Sequence, residues 1–276
     1  MGNELLNVVK TLNNGVKMPG FGLGVYKVWE DADARDSVRT AIDHGYRLID
    51  TASYYDNEDG VGAGVKESST NREEIFVTSK VWNEEQGYDE TLRAFERSLK
   101  RLNFDYLDLY LIHWPVGDLF KDTWKAMERL YDEKLIRAIG VSNFNIHHLE
   151  KLMNQANVKP TVNQIEYHPH LTQKEVKAFC ESEEIQVEAW SPLKRGQIFK
   201  DETIQSLAEK YGKTPAQIIL RWDIDTNVIT IPKSVNKDRI IENSQIFDFS
   251  LTAEEVESLN QLNKNERTGP DPEIFS

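Results

Sequence analysis

One cysteine, Cys180, is all that the 276 residues contain. That excludes an internal disulfide framework and predicts a protein of the reducing cytoplasm. No apolar run approaches the roughly 20 residues a helix needs to cross a bilayer, so no membrane role is expected. The first ten residues, Met1 to Lys10, have no basic segment followed by an apolar core, which predicts no secretory leader. Positive charge is also scarce. The formal net charge is −13, so a large nucleic-acid footprint is not expected. The same field repels anionic ligands, and any phosphate group would need a local basic cluster. Long linkers and short-period repeats are missing too, which predicts one domain over residues 1–276.

What is present is alternation. Hydrophobic residues make up 39% of the chain, enough for a sizeable core. Short runs rich in Ile, Val, Leu and Tyr predict strands at Phe21–Val25, Leu48–Asp50, Ile75–Ser79, Tyr106–His113, Ile136–Ser142, Thr161–Glu166, Gln186–Trp190 and Val228–Ile231. Helical stripes lie between them, such as Leu92, Phe95, Leu99 and Leu102, or Trp124, Met127 and Leu130. Thr172 with Glu175 predicts a capping box, and Thr214 before Pro215 an N-cap with a first-turn proline. Strand and helix repeated eight times implies parallel strands with crossover helices. On pattern alone an open doubly wound sheet and a closed barrel both satisfy this. Leu5–Val9 and a strand near Val16, joined around Asn13, Asn14 and Gly15, predict an additional N-terminal hairpin. A helix over 249–262 is expected after the last strand.

Polar residues gather at the strand ends. Asp50 closes the second strand, Lys80 follows the third, His113 closes the fourth, Ser142 and Asn143 the fifth, and Gln164 lies near the end of the sixth. Trp190 and Ser191 close the seventh, and Lys233 and Ser234 follow the eighth. In a barrel these ends converge on one face. Ordinary polar loops account for Ser and Asn. They account less well for Asp, Lys and His ending apolar strands, where unpaired charges are rare. Asp50 and Lys80 are expected to pair at the mouth, with the lysine lowering the pKa of a nearby phenol. Tyr55, five residues beyond Asp50, can reach over the same mouth as a general acid. His113 can orient a carbonyl oxygen.

These residues sit in longer motifs. The run from Gly45 to Tyr55 (GYRLIDTASYY), Leu111 to Pro115 (LIHWP), Ile139 to Phe144 (IGVSNF) and Ile231 to Ser234 (IPKS), with Arg239, Glu242 and Asn243 beyond, resemble the signatures of the aldo-keto reductases, above all the bacterial aldehyde, methylglyoxal and 2,5-diketo-gluconate reductase-like members. The resemblance runs from about Val9 to Pro272. It implies a (β/α)₈ TIM barrel with NADPH extended across its C-terminal face, and a catalytic tetrad of Asp50, Tyr55, Lys80 and His113. It further implies that Ser142, Asn143 and Gln164 hold the nicotinamide carboxamide, that Trp190 stacks on the ring, and that Ser191, Pro192 and Leu193 wrap the pyrophosphate. Gly24, Val25 and Tyr26 would line the ribose and nicotinamide. Lys233, Ser234, Val235 and Arg239 would hold the 2′-phosphate, and Glu242 and Asn243 the adenine. Many relatives have tyrosine in place of Trp190 and threonine in place of Val25. Tyr26, Trp29, Trp82 and Trp114 are expected to wall an aromatic substrate pocket, with no metal.

The reading is therefore NADPH-dependent reduction of small aldehydes, ketones or dicarbonyls by a monomer. The segment after Trp114 and the tail after Asn263 are short by family standards, which suggests an open pocket. Two rivals stand beside it: a lyase using Lys80 as a Schiff-base nucleophile, and a barrel that binds NADPH as a sensor without turnover. Other signals carry less. Gly60, Gly62 and Gly64 lack a preceding strand and read as the start of the second helix rather than a dinucleotide fingerprint. His168 with His170 and His147 with His148 read as loop and helix surface, without zinc-type spacing. Cys180 reads as packing.

Overall fold

A computed structural model describes residues 8–275. A short antiparallel hairpin, β1 (Val9–Thr11) and β2 (Lys17–Pro19), comes first. Gly15 sits at its turn with φ +84°, a conformation that L side chains rarely adopt. Of the predicted first hairpin strand, Leu5–Asn7 lie outside the described residues, and the pairing extends to Thr11 instead.

Next come β3 (Leu23–Gly24), α1 (Asp31–Asp43), β4 (Leu48–Asp50), α2 (Glu58–Glu67), β5 (Phe76–Val81), α3 (Tyr88–Leu102), β6 (Leu107–Ile112), α4 (Phe120–Asp132), β7 (Ile136–Ser142), α5 (Ile146–Met153), β8 (Val162–Glu166), α6 (Lys174–Ser182) and β9 (Gln186–Trp190). The chain ends with α7 (Glu202–Tyr211), α8 (Pro215–Asp225), β10 (Ile229–Thr230), α9 (Lys237–Asn243) and α10 (Ala253–Asn260). Strands β3 to β10 pair in parallel in sequence order. Parallel bridges from Phe21 to Thr230 and from Gly24 to Lys233 join the two edges. The sheet closes, so the barrel is the alternative realised, as the resemblance implied. No helix among the described residues is long and apolar enough to cross a membrane.

The apolar core has two parts. Leu48, Phe76, Leu109, Leu111, Ala138, Val162, Ile229 and Ile231 fill the inside of the barrel, and Leu12 and Met18 of the hairpin belong to the same cluster. A larger shell lies between the sheet and the helices. Strands buried on both faces read as near-continuous apolar runs, which is why eight of them were visible.

The glycine run lies in α2, and its function is helix packing. A methyl group at Gly62 would lie 2.1 Å from the Leu102 carbonyl oxygen, and one at Gly60 2.4 Å from that of Asp31. These backbones touch. Gly62→Ala is expected to cost about 1–3 kcal/mol, the usual range for overpacking, measurable by urea unfolding.

Two local expectations fail. Lys80 lies inside β5, not after it. The Thr172 capping box does not form: α6 starts at Lys174, after Gln173 at φ 42°. Gln173 gives its Nε2 proton to the Glu166 carbonyl, and Thr172 N–H goes to Asn263 Oδ1. Tertiary partners took the groups that a cap would have used. By contrast, Thr214 caps α8 as expected, with Pro215 first in the helix.

Candidate active site

The C-terminal ends of the strands open into a cavity of about 400 Å³. Behind the lining, and not itself part of it, the fully buried Lys80 donates to Asp50 Oδ1 at 2.7 Å, Asp50 Oδ2 at 2.8 Å and the Thr51 carbonyl at 2.9 Å. Its Nζ also lies 3.3 Å from Tyr55 Oη. Tied to these partners and set behind the cavity lining, Lys80 is poorly placed to act as a Schiff-base nucleophile.

Tyr55 ends a single 3₁₀ turn, Ser53–Tyr55, closed by Asp56 at φ 53°. Hydrogen bonds on both sides hold that turn in place. Ser53 Oγ lies 3.0 Å from the Lys80 carbonyl and 2.7 Å from Glu85 Oε2. Thr51 Oγ1 donates to the buried Asn57, whose amide donates to the Val25 and Val28 carbonyls. Nothing in the sequence marked Asn57, because a buried structural amide and a loop asparagine read alike.

The electrostatics differ from expectation in one respect. Burial pushes the Tyr55 phenol well above its ordinary pKa, and the charge of Asp50 pushes it further. The predicted lowering by Lys80 is overruled, since that ammonium is already neutralised by Asp50. Tyr55 therefore keeps its proton. His113 comes directly after β6, with its ring 5.7 Å from that of Tyr55. Burial, then the Lys80 charge, hold its pKa well below the usual value. The imidazole is neutral, able to donate a hydrogen bond but holding no extra proton to give away.

Gly24, Tyr26, Trp82, Trp114, Ser142, Asn143, Gln164, Trp190, Ser191, Pro192 and Lys233 all line the cavity with Asp50, Tyr55 and His113. The Trp190 indole N–H donates to Asn143 Oδ1 at 2.8 Å, and Asn143 Nδ2 donates to the His113 carbonyl at 3.0 Å. That bond fixes the tilt of the tryptophan ring. Gln164 Nε2 donates to both Asp50 and Glu188.

Several expected residues stand back from the cavity. Trp29 is 61% exposed and does not line it; its ring packs 6.5 Å from Tyr26. Val25 is buried behind the wall. Leu193, Ser234, Val235, Arg239, Glu242 and Asn243 do not touch the cavity either. Ser234 is bound to Asn236, and the Arg239 N–H is capped by Asn236 Oδ1. Lys233 alone of that segment reaches the rim.

Other residues join to which the sequence reading gave no role: Lys27, Tyr54, Arg195, Ile231, Gly269, Pro270 and Phe275. The short tail supplies part of the cavity wall. Glu166 accepts from Thr268 N at 2.6 Å, Thr268 Oγ1 at 2.5 Å and Gly269 N at 3.1 Å, which draws the tail over the mouth. Phe275 then packs 4.4 Å from Trp114. His168 and His170 belong to this anchor rather than to the surface. Both are buried, His168 on Glu166 and His170 on Lys194. His147 and His148 do approach one another, 3.9 Å between rings, beside Glu273. His148 Nδ1 is already taken by the Asn145 N–H, so the trio is no ready ligand set.

The comparisons with known proteins point the same way. The aldo/keto reductase family model matches residues 20–264. Glyoxal reductase of Bacillus subtilis is 58% identical over 273 residues, 99% of each chain. Methylglyoxal reductase DkgA of Salmonella typhimurium is 46% identical over 268 residues, 96% of each chain. The solved structure of a Bombyx mori aldo-keto reductase in complex with NADP superposes with a TM-score of 0.89 at 40% identity, covering 94% of each chain. A family model spanning most of the chain and relatives this similar over its whole length leave one assignment: the chain belongs to the aldo/keto reductase family and is an oxidoreductase acting on carbonyl groups.

Proposed function

We propose that this protein reduces small aldehydes and dicarbonyl compounds with NADPH, and that Tyr55 donates the proton. The observation that carries the assignment is the contact between Tyr55 Oη and the buried Lys80–Asp50 pair, beside a neutral His113 in the same cavity.

The residues present fit the cofactor. Amide and hydroxyl groups of Ser142, Asn143 and Gln164 meet at one edge, and Trp190 offers an aromatic face. Lys233 and Arg195 bring cations to the rim, with Arg239 near the start of α9. When bound, NADPH supplies the hydride that reaches the carbonyl carbon. The chain's own residues manage the oxygen. His113 donates a hydrogen bond that fixes its direction. As the carbonyl π bond breaks, the oxygen takes the Tyr55 proton, and the Lys80 ammonium faces the phenolate left behind. Tyr26, Tyr54, Trp82, Trp114 and Phe275 surround the substrate carbons with aromatic surface, which suits compact or flat carbonyls. Glyoxal, methylglyoxal and aromatic aldehydes are the substrates this reading takes. It also takes the protein to be a monomer of a reducing cytoplasm, for which the single, buried thiol of Cys180 is the support.

A panel of aldehydes, ketones and keto-sugars assayed with NADPH and NADH tests the proposal. Turnover of dicarbonyls with NADPH is the expected result. Tight NADPH binding with no turnover on any carbonyl would replace it with the sensor reading. Replacing Lys233 and Arg239 together by Ala is expected to raise KM for NADPH about tenfold to a hundredfold, as lost charge-assisted hydrogen bonds do, while KM for NADH barely moves. An equal effect on both cofactors would remove the 2′-phosphate assignment.

A further inference from the structure

Inside the barrel sits a second buried carboxyl that the mechanism above does not use. Glu188, on β9, is fully buried. Its strand partners by register are Gln164 and Ile229. Glu188 Oε2 accepts from Gln164 Nε2 at 2.8 Å, and that same nitrogen donates to Asp50 Oδ2 at 2.8 Å. One amide thus bridges two carboxyl groups. Glu188 Oε1 has no hydrogen-bond partner among the described residues. The charged groups that act on Glu188 are Asp50 from β4 and Lys80 from β5, and the uncharged Gln164 of β8 donates to it. Lys80 gives its hydrogen bonds to Asp50, Thr51 and Tyr55, none to Glu188.

The balance of charges sets the protonation state. Two carboxyls share one ammonium in a dry interior. If both ionise, one negative charge is left without a counter-charge, which burial penalises heavily. A buried carboxylate collects several donors; Glu188 has one, on one oxygen. The proton belongs on Glu188, because Asp50 already holds Lys80. We propose that Glu188 is a positioning residue of this active site: protonated, it leaves Lys80 committed to Asp50 and Tyr55 fit to donate, and its ionisation turns carbonyl reduction down.

The direction of the effect comes from the surroundings of Tyr55. Besides burial, the charges of Asp50, Tyr26 and Glu188 all push its pKa up. A negative Glu188 makes the phenol a weaker acid and the phenolate more costly. Burial, then the Asp50 charge, raise the Glu188 carboxyl to about 8. Reduction therefore falls as pH rises through that value. The proposal rests on Tyr55 as proton donor, and its test separates the two.

Single-turnover hydride transfer, followed by loss of NADPH fluorescence with saturating aldehyde, is measured against pH in the unaltered protein and in Glu188→Gln, Glu188→Asp and Tyr55→Phe. The unaltered protein is expected to lose about tenfold between about pH 7 and about pH 9, as one unit beyond a titration midpoint leaves about a tenth of the group protonated. Glu188→Gln is expected to lose less than about twofold over the same span, and Glu188→Asp to restore the fall. In infrared spectra of the unaltered protein, a protonated-carboxyl band fades as pH passes about 8, beside that of the buried Asp223. An undiminished fall in Glu188→Gln overturns the proposal. So does the lack of any carboxyl band that fades near that pH, which holds even if the variants fail to fold. An active Tyr55→Phe sinks the proton-donor reading instead, whatever Glu188 does.

Discussion

Tyr55→Phe is expected to bind NADPH as the unaltered protein does and to lose carbonyl reduction by about a thousandfold, within the range of a positioned general acid. The phenyl ring keeps the packing against Tyr26, 5.0 Å away, and against His113. Only the hydroxyl goes. Nothing nearby replaces it. His113 is held neutral by burial and by Lys80, so its single N–H orients the oxygen without protonating it. Lys80 lies behind the phenol and is taken up by Asp50 and Thr51. Cofactor binding should be unaffected because the polar edge of Ser142, Asn143 and Gln164 stands apart from the substituted oxygen. Fluorescence titration with NADPH and turnover with methylglyoxal are the two measurements. A variant as active as the parent would return the proton-donor role to another group.

Lys80→Met is expected to have the largest effect on stability. Removing one partner of a buried ion pair leaves the other charge uncompensated, at a cost of about 3–5 kcal/mol. Here the orphan is Asp50, with Glu188 bridged to it through Gln164. The loss should depend on pH with a definite sign. Burial already raises the Asp50 carboxyl against the pull of Lys80, and without the ammonium it rises further. A carboxyl whose folded pKa exceeds its unfolded value near 3.9 lends stability below that value. The contribution is lost as pH climbs through the folded pKa. The gap in Tm between variant and parent should thus be smallest in mild acid, near about pH 5, and widest at about pH 8. A gap that does not change with pH would show that Lys80 contributes packing rather than charge. Activity should vanish at every pH.

Both predictions rest on residues legible in the sequence. Asp50, Lys80 and His113 stood out because charged or titratable groups ended apolar strands, and Tyr55 because it came soon after one of them. The strands themselves were readable because barrel strands are buried on both faces and leave apolar runs. That double burial also concealed Glu188. In Gln186–Trp190 the alternation puts Glu188 opposite Val187 and Ala189, and a polar residue on the second face reads as solvent-facing. In a closed barrel the second face is the interior. Asn57 was unreadable for a related reason, since its importance lies in carbonyls of Val25 and Val28, 32 and 29 residues away. The tail's share in the wall was unreadable for the same reason, since Glu166 holds Thr268 and Gly269 from about a hundred residues away.

By itself the sequence determined the alternation of strands and helices, the types of residue at the strand ends and, through its motifs, the reductase family. These are properties of local period and local chemistry, which survive without coordinates. The motifs also implied the closed barrel; only the tertiary structure decided that Lys80 is spent on Asp50 and set behind the cavity lining. It also decided that Tyr55 holds its proton more tightly than an ordinary tyrosine, and that Gln164 bridges Glu188 to Asp50. The reason is physical. Proton affinities in a dry interior depend on how many charges face one another there, and that count exists only once distant strands are brought side by side.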